Sequence, residues 1–121
     1  METFRFLEFK VYQDSRDYFN KVLFYSERVK SYSFKDQIRR AALSVILNIA
    51  EGSAKKSDKE FARFLEISIG SVNEVVACLD IMRELKKINL KEYERLMLQS
   101  EELVKQLGGF IKKLKTDRVN C

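Results

Sequence analysis

Apolar residues recur along this chain at alternating steps of three and four, the spacing that gathers them on one side of an α-helix. Leu7, Val11, Tyr18, Val22, Tyr25 and Val29 form one stripe. Phe61, Leu65, Ser68, Val72, Val75, Leu79 and Met82 form another, and Tyr93, Leu96, Ser100, Leu103, Leu107, Phe110 and Leu114 a third. Between the first two lies a stretch that is apolar nearly all round, from Ile38 to Ala50. Capping signals mark where the later helices begin. Ser33 is followed by Asp36, Ser57 by Glu60 and Asn89 by Glu92, so a side-chain oxygen can accept from an orphan amide while the acid answers three residues on. The pattern predicts helices over about 7–29, 34–53, 58–87 and 90–115. Gly52 and the polar SAKKSD run close the second of them.

Short connections make successive helices antiparallel neighbours. The expected fold is all-α, an up-down-up-down antiparallel four-helix bundle, with the whole chain, 1–121, as one domain. The second helix carries more apolar surface than a lone subunit needs, and the third has an additional stripe through Ile69 and Val76. Burial between copies of the chain accounts for this surplus, as does a fully central helix within one subunit.

One polar seam runs along the second helix. Gln37, Arg40, Ser44, Asn48, Glu51 and Lys55 fall within a strip roughly 80° wide. It can face water. It can be a satisfied network that fixes helix register, with Glu51 bonded to Lys55 or Arg40 and Asn48 bonded to backbone. Or it can line a groove or an oligomer axis and meet a ligand. Arg39 points away from the seam, so one of Arg39 and Arg40 is expected to pair with an acid on the first or third helix, leaving the other for solvent or an anion.

Composition narrows the fold class and leaves function wide. Of the 121 residues 45% are hydrophobic, enough for a core, and the absence of proline favours long helices. Cys78 and Cys121 are too few and too far apart for a disulfide framework, which suits a reducing cytoplasm. No window is long and apolar enough to span a bilayer, so no membrane is expected as a partner. The chain has no histidine, no paired cysteines at zinc-ligand spacing and no phosphate-cradling glycine loop. No catalytic role, cofactor or metal is therefore expected.

The net charge is +5, and four of those charges belong to residues 105–121. Lys105, Lys112, Lys113, Lys115 and Arg118 lie there, while Lys55, Lys56 and Lys59 cluster after the second helix. These are candidate contacts for the phosphates of RNA or another nucleic acid, or else a solubilising surface. Only Phe110 lies among the basic residues, so base stacking is not expected.

The residues of the seam also carry a family resemblance. QIRRAALS at 37–44, NIAEG at 48–52, Ser57, Glu60-Phe61, Phe64-Leu65, Gly70-Ser71 and Glu74 together resemble the signature of the 23S rRNA-intervening-sequence proteins. The resemblance implies a small bacterial four-helix bundle that assembles as a homopentameric ring. It also implies kinship with the accessory variability proteins of diversity-generating retroelements, basic pentameric barrels that partner a reverse transcriptase and RNA. Neither group is known as an enzyme. Arg39, Arg40, Asn48, Glu51, Gly52, Gly70 and Ser71 are signature positions without catalytic roles. Ile46 stands where the family often has proline, Ser68 where alanine is common, and Ala54-Lys55-Lys56 replaces its usual Gly/Tyr-rich turn. The expected function is a non-catalytic homo-oligomeric scaffold that binds nucleic acid, or a module that recruits a protein partner. Gly70-Ser71 and Gly108-Gly109, in mid-helix, are expected to admit a neighbouring backbone.

Overall fold

The structure, a computed structural model, describes residues 2–120, with side chains described through residue 116. Cys121, and the side chain of Arg118, lie outside the described residues. A 3-10 turn over Arg5–Glu8 leads into four α-helices: α1 (Lys10–Ser26), α2 (Tyr32–Ser53), α3 (Asp58–Glu84) and α4 (Leu90–Asn120). There are no strands among the described residues.

Each boundary has a local cause. The first helix starts at Lys10 rather than Leu7, because the preceding turn swings Phe9 inward against Phe61 and Phe110. Gln13 Nε2 ties that turn down by donating to the Leu7 carbonyl at 2.9 Å, and Leu7 itself stays partly exposed. α1 also stops three residues short of the expected end, although Val29 is still buried. Ser31, not Ser33, caps α2, its hydroxyl accepting from Phe34 N at 3.3 Å. Ser57 caps α3 as expected, accepting from Glu60 N at 3.1 Å. Asn89 and Glu92 form a reciprocal box: Glu92 N donates to Asn89 Oδ1 at 2.8 Å and Asn89 N to Glu92 Oε1 at 3.0 Å.

α3 ends at Glu84, three residues before the expected boundary, in a Schellman turn. Lys86 N donates to Arg83 O and Lys87 N to Met82 O, with Lys86 in the left-handed region at φ 60°. Glycine is the usual residue at such a position, so nothing in the sequence marks this stop. α4 runs past the expected residue 115 to Asn120, and Leu114 is the last buried apolar residue among its described side chains.

Contact pairs climb one helix while descending the other. Asp14 meets Gln106 and Tyr18 meets Ser100 across α1 and α4, and Arg28, just past α1, meets Glu92 at the start of α4. Gln37 meets Glu74, and Ser44 meets Ser71, across α2 and α3. Phe61 packs on Phe110, and Arg83 on Tyr93, across α3 and α4. The four helices therefore share one core. Tyr18, Ile38, Ile49, Phe61, Leu65, Leu79, Met82, Leu96, Leu103 and Leu107 are fully enclosed in it. Each side chain of this size contributes about 1.5–3 kcal/mol by leaving water.

The buried serines all have partners. Ser68 donates to the Val45 carbonyl of α2 at 2.9 Å, and Ser100 lies 2.6 Å from the Tyr18 hydroxyl. Burial of that phenol pushes its pKa up to about 12, and the Ser100 bond only partly opposes the shift.

Candidate interaction surfaces

The polar seam divides into a middle and two ends. In the middle, Ser44 Oγ lies 2.7 Å from Ser71 Oγ, and Asn48 Nδ2 donates to Ser44 O at 2.8 Å and to Ser44 Oγ at 3.0 Å. These half-buried groups make a polar staple that sets the register of α2 on α3. The ends face water. Gln37 donates to Glu74 at 3.2 Å, Arg40 pairs with Asp36 on its own helix at 2.8 Å, and Lys55 stands 3.9 Å from Glu51. Pairs this exposed contribute little stability. Glu51 faces Lys55 as an exposed i,i+4 ion pair, and Arg40 is engaged by Asp36, so neither joins Glu51 in a buried network. Arg39 turns the other way and pairs with Glu27, the residue that closes α1, which Lys35 also approaches at 3.8 Å.

Gly52 is a packing requirement as well as a residue near the helix end. A Cβ there would stand 2.8 Å from Phe64 Cβ and 2.9 Å from Phe61 Cδ1, so α2 and α3 can approach only at glycine. Gly70, Gly108 and Gly109 are different. A Cβ at any of them meets nothing within 4 Å, so no helix of this chain occupies the space they leave.

The surplus apolar surface sits on the same side as the staple. Leu43 and Leu47 of α2 are 40% and 53% exposed, and Ile67 and Ile81 of α3 are 45% and 47% exposed. By helical geometry the two pairs flank the Ser44–Ser71 contact, with Gly70 among them. The expected second stripe on α3 is corrected here: Ile69 and Val76 pack against the core, and Ile67 and Ile81 face outward.

The basic residues separated in sequence come together at one end of the fold. α2 and α4 both descend to that end, bringing Lys55, Lys56 and Lys59 near Lys112, Lys113 and Lys115. Arg5 and Lys10, which sequence reasoning passed over, join them: Arg5 Nη2 donates to Ser53 O at 3.2 Å. Lys115 lies 3.8 Å from Glu66, and Lys55 sits over the Phe64 ring at 4.9 Å. Lys56, Lys59 and Lys112 are exposed, and Lys105 is two turns of α4 before Lys113. Asp58 and Glu60 moderate the charge here. Phe9, Phe61 and Phe110 cluster at this end with ring centroids 5.1–6.4 Å apart, and Arg5 lies over Phe9 and Phe61. The aromatic residues missing from the basic stretches of sequence are supplied by the fold.

A second basic cluster, also unforeseen, occupies the opposite end. Arg28, Arg83, Lys86 and Lys87 surround the start of α4. Arg28 is committed there to Glu92 through two bonds of 2.9 and 3.0 Å. Its guanidinium holds the Glu92 carboxyl below the usual range, as the Lys10 ammonium, followed by the Gln106 amide, does for Asp14. Burial, with Glu74 adding to it, pushes the Cys78 thiol up. No cluster of three or more histidine, cysteine or acidic side chains suited to a metal is present among the described residues. No helix among them is long and apolar enough to cross a membrane.

The sequence profile of the 23S rRNA-intervening sequence proteins matches residues 7–109. The chain belongs to that family. The matched span reaches from the first turn to the Gly108-Gly109 pair and takes in the whole seam. A solved structure from Bacteroides thetaiotaomicron, described as a protein of unknown function from the S23 ribosomal protein family, has a similar fold. It is 24% identical, with a TM-score of 0.79 over 84% of this chain and 98% of that one. No curated protein matches the chain. Family membership and fold thus agree, and the family's function is unknown.

Proposed function

We propose that this member of the 23S rRNA-intervening sequence family is a non-catalytic, cytoplasmic scaffold that self-associates and holds RNA by its phosphates. The unit is an up-down-up-down four-helix bundle, and copies meet through the outer face of α2 and α3. The observation that carries the reading is the exposed set Leu43, Leu47, Ile67 and Ile81 around an open Gly70. Side chains of this kind gain by being covered, and a mid-helix glycine with no internal reason suits a close approach from outside. A pentameric ring, with kinship to the accessory variability proteins, extends the resemblance in the sequence. The names of the relatives, which refer to ribosomal RNA and a ribosomal protein, suit an RNA partner. Lys56, Lys59, Lys112 and Lys113 at one end are the phosphate contacts, multiplied by the copies in a ring.

Light scattering on a sizing column, with absorbance at two wavelengths, tests assembly and copurified nucleic acid together. The expected result is a discrete oligomer that Leu47→Glu converts to a folded monomer. Filter binding of RNA should weaken steeply with salt; binding indifferent to salt overturns the phosphate reading. Recruitment of a protein partner is a second reading, favoured by Phe24 and Leu98, which are 65% and 67% exposed away from the α2–α3 face. Recovery of one stoichiometric protein after nuclease treatment supports it over the first.

A further inference from the structure

Among the aromatic residues at the basic end lies a cavity of about 660 Å³, between the first turn, α1, the start of α3 and the second half of α4. That volume suits a ligand of small-molecule size. Its wall includes the half-buried rings of Phe9 and Phe110, whose centroids are 5.3 Å apart. Arg5 and Lys113 line it as cations, and Arg5 lies 5.6 Å from the Phe9 centroid, a guanidinium beside an aromatic ring. Lys10, also in the lining, is engaged by Asp14 at 2.6 Å. Gln106 spends its amide nitrogen on Asp14 at 2.8 Å, so its carbonyl oxygen is the group left to accept. Asp58 adds a carboxylate acceptor. Aromatic faces, two acceptors and two cations form a set with a definite complement: a flat ring bearing an amine, joined to an anion.

We propose that this cavity takes a single unpaired nucleotide. Its base lies against Phe110 and Phe9, its exocyclic amine donates to Gln106 Oε1 or Asp58, and its phosphate sits between Arg5 and Lys113. Stacking against aromatic rings is how unpaired bases are commonly held, and adenine, guanine and cytosine carry the amine that uracil lacks. The nucleotide comes either from an RNA strand, in which case the inference rests on the proposed RNA reading, or from the free pool, in which case it stands alone.

The test exploits Gly109, which lines the cavity and whose added Cβ would meet nothing within 4 Å. Gly109→Leu projects a branched side chain into the cavity from a position where its Cβ clears every neighbour. The probes are the 5′-monophosphate of 2-aminopurine riboside and a short single-stranded RNA carrying 2-aminopurine, both read by fluorescence quenching. Saturable quenching by wild type is expected, weakened at least tenfold in Gly109→Leu and weakened in Lys113→Glu, with melting temperatures maintained and Lys91→Glu unaffected. Quenching of the free monophosphate assigns the free source; quenching of the strand alone assigns the strand source. Equal quenching by wild type and Gly109→Leu overturns the proposal. Salt-dependent strand binding without quenching of either probe overturns it too, while leaving the phosphate reading intact. Quenching of the monophosphate with no strand binding supports the cavity and removes the RNA reading.

Discussion

Gly52 and Gly70 both lie within long helices, in opposite surroundings. At Gly52 the neighbouring helix is so close that a methyl group would press on Phe64 and Phe61; at Gly70 there is open space. The first glycine is explained inside the subunit. The second imposes a propensity cost of about 1 kcal/mol with no return from its own chain, and in the assembly proposed above its benefit comes from the copy that approaches it. The same division separates the staple of Ser44, Asn48 and Ser71 from Leu43 and Leu47 beside it. One set is satisfied within the fold, and the other is left uncovered by it.

The contrast can be broken most easily at Gly52. Gly52→Val should destabilise the fold by about 3 kcal/mol or more, because the added atoms meet a Cβ on α3 that cannot rotate away. Urea midpoints measure this, and a loss below about 1 kcal/mol would mean that the helices part freely. Next comes Tyr18, another group determined from within. Burial favours its neutral phenol, so its folded pKa of about 12 exceeds the ordinary 10.0. The associated stability is complete below pH 10 and declines as pH rises through about 12, by about 2–3 kcal/mol. Urea titrations across that range should show the decline in wild type and not in Tyr18→Phe.

Lys86 supplies the converse case, a left-handed turn that suits glycine but holds lysine. Lys86→Gly should raise stability by about 1 kcal/mol, read as a higher melting temperature. The smallest effect is at Gly70. Gly70→Ala should stabilise the isolated subunit by about 0.5–1 kcal/mol while weakening self-association on a sizing column. Stabilisation with assembly unchanged would remove the outward half of the contrast.

The helical periods and the caps at Ser57 and Asn89 were legible because capping chemistry is local. The seam was legible as a strip, and its division into staple and exposed pairs was not, since periodicity says nothing about what stands opposite. Leu7 fits the α1 stripe by spacing, yet a 3-10 turn takes it out, because packing of Phe9 on Phe61 outweighs local pattern. Two serines flank Tyr32, and only geometry selects Ser31 as the cap. In the run FLEISIG the isoleucines stand two apart, so the inward and outward ones could not be separated. The aromatic cluster beside the cavity draws on residues about fifty positions apart along the chain, at Phe9, Phe61 and Phe110, which no window could have assembled.

Ser68 has a consequence for motion. Its hydroxyl is bonded to a carbonyl in the middle of α2, so neither helix can lose its central turn without exposing the other's polar group. The central amides of the two helices should therefore exchange with deuterium as one cooperative block, slower than the first-turn amides of either helix.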